Sequence, residues 1–244
     1  MNIAKSGKEL INICQKEQIS LSEYAIRKEV EAKGVSREEL FLQMKNTLNA
    51  MKESATLGRE KKVYSLSGLI GGDAYRLQQY SNSGKSLMGS GIVTAMAMAM
   101  SSSEVNGSMG KIVACPTAGS CGILPAAMAS GAVVELMGGT PEMSLDAAAI
   151  IFKNVLGLVC DPVAGLVEIP CAKRNVSGAI NALCTADLVM AGVNSKIPFD
   201  DALSAMYKVG LGMPAELRET ALGGVAITET GLKLKEKVFG KTNN

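Results

Sequence analysis

No histidine occurs among the 244 residues, and that absence excludes more than any motif present. It removes Ser-His-Asp and Cys-His catalysis, zinc sites of the HExxH kind and any imidazole base contributed by this chain. If the chain takes part in proton transfer, the work falls to lysine, tyrosine, a carboxylate or a group on another chain. Tryptophan is also missing and aromatics amount to 4%, which disfavours a β-sandwich core. Charge of one sign is lacking too. At a formal +2 there is no broad electrostatic footprint for nucleic acid or an anionic membrane surface. Apolar runs are short: SGIVTAMAMAM and GILPAAMASGAVV fall below the roughly 20 residues of a bilayer span, and AAAIIFKNVLGLV is split by Lys153 and Asn154. The opening MNIAKSGKEL is charged but runs into no apolar core of a secretory signal. The expectation is a cytoplasmic protein with neither nucleic acid nor membrane as partner.

What is abundant points to helices. Apolar residues make up 47%, with 14 methionines and 26 glycines; small residues let helices approach closely and methionine fills the gaps between them. The predicted fold is mainly α, a multi-helix globular catalytic domain with glycine- and proline-rich active-site loops. Residues 1–62 read as a charged helical arm packed on the main domain, and 63–244 as that domain. In the arm, Leu21 to Ala32 forms one helix. SREELFLQMKNTLNAMKES begins another with a capping box, Ser36 and Glu39, and its Leu40, Met44, Leu48 and Met51 recur at helical spacing and should face a core. SGLIGGD is a loop, DAYRLQQYSN a short helix, and GIVTAMAMAM a buried helix despite the strand-like alternation of Met96, Met98 and Met100. Thr140 caps a helix with Pro141 at its first position. SGAINALCTADLVMAG and PFDDALSAMYKVG supply two more, and the tail from Leu232 is solvated.

SNSGKSLMGSG invites a phosphate-loop reading, but Gln79 stands where the motif requires glycine and no strand precedes it. Lys85 is then a loop cation, solvated or gripping an anionic substrate group. Six cysteines at irregular spacing do not make a secreted disulfide framework. Cys14 and Cys184 sit in apolar helical settings and read as core. Cys115 and Cys121 flank the loop PTAGSCGILP. Cys160 precedes Asp-Pro and Cys171 follows Pro170, with VAGLVEI long enough to loop out and return. Stiff backbone with amides free to donate to sulfur suits a metal cluster; plain packing is the alternative, since no CxxC pair gives a zinc signature.

GLVCDPVAGLVEIPCAKRN, with SGLIGGDAYRLQQY, VNGSMGKIVACPTAGSCGILPA and LRETALGGVAIT, resembles the α chain of iron–sulfur-dependent L-serine dehydratase over nearly the whole length. The resemblance implies a [4Fe–4S] cluster on three cysteines, Cys160 and Cys171 being two of them, with one iron open to act on the hydroxyl of L-serine, which is converted to pyruvate and ammonia. It implies a β chain as partner, which could bring the histidine missing here. It also implies that Thr117 in PTAGSCG touches substrate, that the loop amides around Ser67, Gly68, Gly71 and Gly72 hold the substrate carboxylate, and that Arg174 and Asn175 orient either that carboxylate or the cluster loop. A structural ion pair is the other reading of Arg174, and Lys85 is a lesser candidate. The chain departs from the family in one place: GILPAAMASGAVVELMGG runs straight from one motif to a helix that the family separates by a glycine-rich segment bearing the third cluster cysteine. Cys115 or Cys121 would have to replace it; otherwise the chain is a shortened, inactive α-chain-like domain that binds a β chain without a competent cluster.

Overall fold

The computed structural model describes residues 3–115 and 122–240. Among them are ten α-helices and no sheet, only two isolated bridges. The helices are α1 (Gly7–Glu17), α2 (Leu21–Lys33), α3 (Arg37–Glu60), α4 (Asp73–Asn82), α5 (Gly89–Gly107), α6 (Leu124–Leu136), α7 (Pro141–Asn154), α8 (Cys171–Met190), α9 (Phe199–Gly212) and α10 (Glu229–Phe239). The mainly α expectation holds. None of the helices among the described residues is long and apolar enough to cross a membrane.

The chain divides into two compact units. The first comprises Met1–Asn49, Ala126–Leu156 and Asn181–Tyr207. Its core gathers Val134 of α6, Ala147 and Ile150 of α7, and Ala186 and Val189 of α8, with Met143 and Met190 packed around them. Side chains at the helix starts satisfy backbone donors that have no partner within the helix. Ser20 caps α2 and Thr140 caps α7, and Asp200 of α9 accepts the amides of Gly7 and Lys8 at the start of α1. The capping box of α3 forms as its spacing requires: Glu39 takes the amide of Ser36 at 2.9 Å and Ser36 takes the amide of Glu39 at 3.1 Å.

The second unit comprises Ala50–Pro125, Gly157–Ile180 and Lys208–Asn244. In its core Ile70, Ala74 and Met100 meet Ala172 and Val176, with Leu77, Met96, Ala99 and Ile169 against them. The outward placement of α3's large side chains corrects the sequence expectation. Leu40 is buried, but Met44, Leu48 and Met51 are 48–56% exposed. The inward face is instead drawn from small residues, Ala50, Ser54 and Gly58, one turn apart. These admit α5 at close range: Ser101 donates to the Ser54 carbonyl at 2.6 Å and accepts the Gly58 amide at 2.8 Å. A Cβ on Gly58 would lie 2.9 Å from the Ser101 hydroxyl oxygen. Two further differences concern the ends of elements. Helix α8 begins at Cys171, earlier than the sequence suggests, and the tail forms α10, capped by Thr228.

Helix α4 begins on Gly72, at φ +70° and with no side chain to cap it. The cap comes from α5. Glu104, fully buried, accepts the amides of Asp73 at 2.5 Å and Ala74 at 3.3 Å through one oxygen, and its other oxygen has no hydrogen-bond partner among the described residues. Burial raises the Glu104 carboxyl above its ordinary value, against the two amides that lower it. The folded protein therefore binds this proton more tightly than the unfolded chain. The resulting stability is complete below the ordinary carboxylate range and is lost as pH rises through the folded-state value. Glu104→Gln keeps an acceptor for the amides and cannot ionise. Its unfolding free energy, measured in urea, is expected to gain on wild type as pH goes from about 4 to 7; a pH-independent difference would contradict the burial argument.

Candidate functional site

The cysteine loop is closed by its own backbone and by one buried carboxylate. Gly157, at φ +80°, ends the run after α7. Cys160 lies in an isolated parallel bridge with Arg218: its amide donates to the Leu217 carbonyl at 2.9 Å and its carbonyl accepts the Glu219 amide at 2.8 Å. The next residue, Asp161, is 2% exposed. One of its oxygens takes Arg174 of α8 at 2.6 Å, and the other takes the Val225 amide at 2.7 Å. The same guanidinium nitrogen of Arg174 donates to the Val159 carbonyl at 2.9 Å. Gly224 must be glycine here, since a Cβ would fall 2.1 Å from the Asp161 carboxylate and φ is +59°. Beyond a short turn at Val163–Gly165 the chain comes back, with the Val163 amide bonded to the Ile169 carbonyl at 2.8 Å, and Pro170 delivers Cys171 to the first turn of α8.

The loop therefore brings the two thiols within electrostatic reach of each other. Cys171 is buried, and burial first, then the charge of Cys160, push its thiol up to about 11, with Arg174 opposing. The Cys160 thiol, half-buried, is also raised, by burial and then by Glu219. Both hold their protons at neutral pH until something replaces them. Soft thiolates are the ligands of iron–sulfur clusters, and on that ground this donor pair fits two positions of such a group. Among the described residues no set of three His, Cys, Asp or Glu side chains converges to hold a metal ion. Cys115 is exposed; Cys121 and Thr117 lie outside the described residues. Cys14 is buried as expected, but Cys184 is exposed. Around it the buried positions of α8, Ala182, Ala186 and Val189, recur at helical spacing and leave Cys184 off that stripe.

The glycine loop is a tight return between the ends of α3 and α4. An antiparallel bridge pairs Tyr64 with Gly71, flanked by Ser65 amide to Ile70 carbonyl at 3.0 Å and Gly72 amide to Val63 carbonyl at 2.9 Å. A Cβ on Gly71 would strike the Tyr64 ring at 2.4 Å. Most loop amides donate internally. Leu66 reaches the Gly107 carbonyl, Gly68 the Ser65 carbonyl, and Leu69 and Ile70 the hydroxyls of Ser67 and Ser65. The amides of Ser67 and Gly71 are left without an acceptor among the described residues. The Ser67 hydroxyl donates to Glu168 of the cysteine loop at 2.7 Å. Asn175, buried on α8, donates to the Ser103 hydroxyl of α5 at 3.2 Å. Lys85 is exposed, three residues past the end of α4, a helix about 15 Å long that starts after Gly72.

Asp161, Glu168, Ser103 and Glu104 escaped the sequence reading. Their partners lie 13 to 101 residues away, and the only local signal, at Asp161 and Glu168, is an acidic residue set among apolar and proline neighbours. Two outcomes check this geometry. Asp161→Ala leaves the Arg174 guanidinium without its carboxylate, and a loss of about 3 kcal/mol is expected in urea unfolding; a loss below 1 kcal/mol would deny the brace its role. With limiting iodoacetamide near neutral pH, exposed Cys184 is expected to be labelled well before Cys171, read by peptide mass spectrometry.

Comparison with known proteins agrees with these motifs. The profile of the family described as serine dehydratase alpha chain matches residues 16–128 and 126–226. The two matches meet where GILPAAMASGAVVELMGG lacks an internal segment. The probable L-serine dehydratase alpha chain of Bacillus subtilis (strain 168) is 42% identical over 287 aligned positions, covering 97% of this chain and 95% of the relative. That alignment is longer than the 244-residue chain, so the relative carries residues without a counterpart here. The L-serine dehydratase alpha chain of Peptoniphilus asaccharolyticus is 39% identical over 94% of this chain and 96% of its own. The L-serine dehydratase of Streptomyces coelicolor is 27% identical over 91% of this chain but only 60% of that protein. By its motifs, its profile match and its relatives, the chain belongs to the serine dehydratase alpha chain family.

Proposed function

We propose that this chain is the cluster-bearing subunit of an L-serine ammonia-lyase, releasing pyruvate and ammonia from L-serine in the reducing cytoplasm. The observation that carries the reading is the loop braced by Asp161, which begins at Cys160 and returns to deliver Cys171 to the first turn of α8. In this reading they hold a [4Fe–4S] cluster, with Cys115 or Cys121 in the third position. When bound there, the cluster supplies an iron of incomplete protein coordination, a Lewis acid for the serine hydroxyl.

The chain's own residues do the rest of the binding. The Asp161–Arg174 pair keeps the cysteine loop against the start of α8, so the two sulfurs stay in register while their protons are exchanged for metal. The unengaged amides of Ser67 and Gly71, with Gly68 shaping the turn between them, face the substrate carboxylate as a small anion nest. Thr117 of PTAGSCG is taken to contact the substrate, and Asn175 supports Cys171 from one turn along α8. Lys85, at the remote end of α4, has no part in this arrangement. No histidine is available for the α-proton, so the base is a lysine, tyrosine or carboxylate, or arrives on a β chain. The name alpha chain on the relatives supports such a partner, as does the Streptomyces enzyme, of which two fifths lies outside the match.

A second reading follows from the shortened connection at 126–128, with no group of three metal donors among the described residues: a chain that binds a β chain without a competent cluster. Anaerobic reconstitution with iron and sulfide separates the two. The lyase subunit turns brown and, with β chain, forms pyruvate from L-serine; the degenerate chain stays colourless and still binds its partner. Cys160→Ser and Cys171→Ser are each expected to lose most of the bound iron while circular dichroism retains the helical signal. A full iron complement in either variant overturns the ligand assignment.

A further inference from the structure

We propose that Ser67 and Glu168 form a latch that sets the glycine loop against the cysteine loop. This makes Glu168 a positioning residue for the reaction and commits the Ser67 hydroxyl to the protein rather than to substrate. The functional half of the inference rests on the reading above; the latch itself does not.

The hydroxyl's one proton is committed. A serine oxygen offers one proton and two lone pairs. The proton goes to Glu168 at 2.7 Å and one lone pair takes the Leu69 amide at 3.0 Å; the Ser65 hydroxyl lies 3.1 Å away, its own single proton within reach of both Ser67 and the Ile70 carbonyl. No proton is left for a substrate carboxylate oxygen, which needs a donor. Anion recognition in this loop therefore belongs to the backbone, at the amides of Ser67 and Gly71.

Glu168 is placed to pass the position of one loop to the other. It is 6% exposed and stands three residues before Cys171. Its carbonyl accepts the Ala172 amide at 3.0 Å in the first turn of α8, while its carboxylate holds Ser67, 101 residues earlier in the chain. Behind this bond, Ile70 of the glycine loop and Ile169 of the cysteine loop share a core with Ala172 and Met100. Among the described residues no other side-chain hydrogen bond joins the two loops. A hydroxyl-to-carboxylate bond in buried surroundings is of the strong, charge-assisted class, so the substrate's anchor and the sulfur of Cys171 are kept at a fixed separation.

The test reads each loop from the other. In the full chain without metal, Glu168→Ala is expected to speed hydrogen exchange in peptides spanning 64–72, and Ser67→Ala in peptides spanning 160–172. Each acceleration should be roughly tenfold or more, as loss of a hydrogen bond to a charged group gives. The double variant should exchange no faster than the faster single one, and Glu168→Gln, which keeps an acceptor, should recover most of the protection. Exchange confined to the loop that carries the substitution, or additive effects in the double variant, would overturn the latch. With reconstituted enzyme and β chain, both alanine variants should lose kcat/KM by a similar factor. A rise in KM for Ser67→Ala alone would return that hydroxyl to the substrate and sink the proposal. Should wild type take up no iron, the lyase reading fails while hydrogen exchange still decides the latch.

Discussion

Asp161 is the constraint on which the rest of the site depends. A carboxylate removed from water is tolerated only when its oxygens are engaged by donors, preferably charged ones, and each Asp161 oxygen has one: the guanidinium of Arg174 and the amide of Val225. Those partners come from different stretches of chain. One is the opening of α8, where Cys171 sits; the other is the GGVAI turn, where Gly224 gives up its side chain so that the carboxylate can approach. The residue before Asp161 is Cys160. A single buried charge thus ties the residue after Cys160 to a residue one turn beyond Cys171 and to the GGVAI turn.

Helix α5 plays the complementary part for the other loop. Over its last two turns it presents Ser103 to Asn175 of α8, Glu104 to the start of α4, and the Gly107 carbonyl to the Leu66 amide. Three neighbours of different character are indexed to one rod. The stiffness of that rod follows from its close seating against Ala50, Ser54 and Gly58 of α3, where only small side chains fit. The proposed reading needs this kind of support, because a chain without imidazole would contribute ligands and geometry first of all.

The helices were largely legible in the sequence because their signals are local. Ser36 with Glu39, and Thr140 with Pro141, announce helix starts from within four residues, and the structure places a helix at each. Periodicity was legible too, but its sign was not. Leu40, Met44, Leu48 and Met51 look like the inward stripe of α3, whereas the small residues one row over face inward and let α5 approach. The cysteine pair stood out through its prolines and glycines, while the reason for its geometry did not. Asp161, Glu168 and Glu104 are ordinary acidic letters until the fold brings a guanidinium, a hydroxyl or a helix start to them from 13, 101 or 31 residues away. The two-piece family match at 126–128 is the exception, a global feature visible locally, because a missing segment leaves two motifs abutting.

The borrowed cap on α4 carries a consequence for how the chain assembles. Ten residues are too few for a helix to persist alone in water, and α4 enters from a glycine that offers its amides nothing. Its first turn is completed only when a carboxylate from the next helix arrives. Docking of the later helix must therefore precede lasting order in the earlier one, so that in this corner of the molecule structure is acquired against the direction of synthesis.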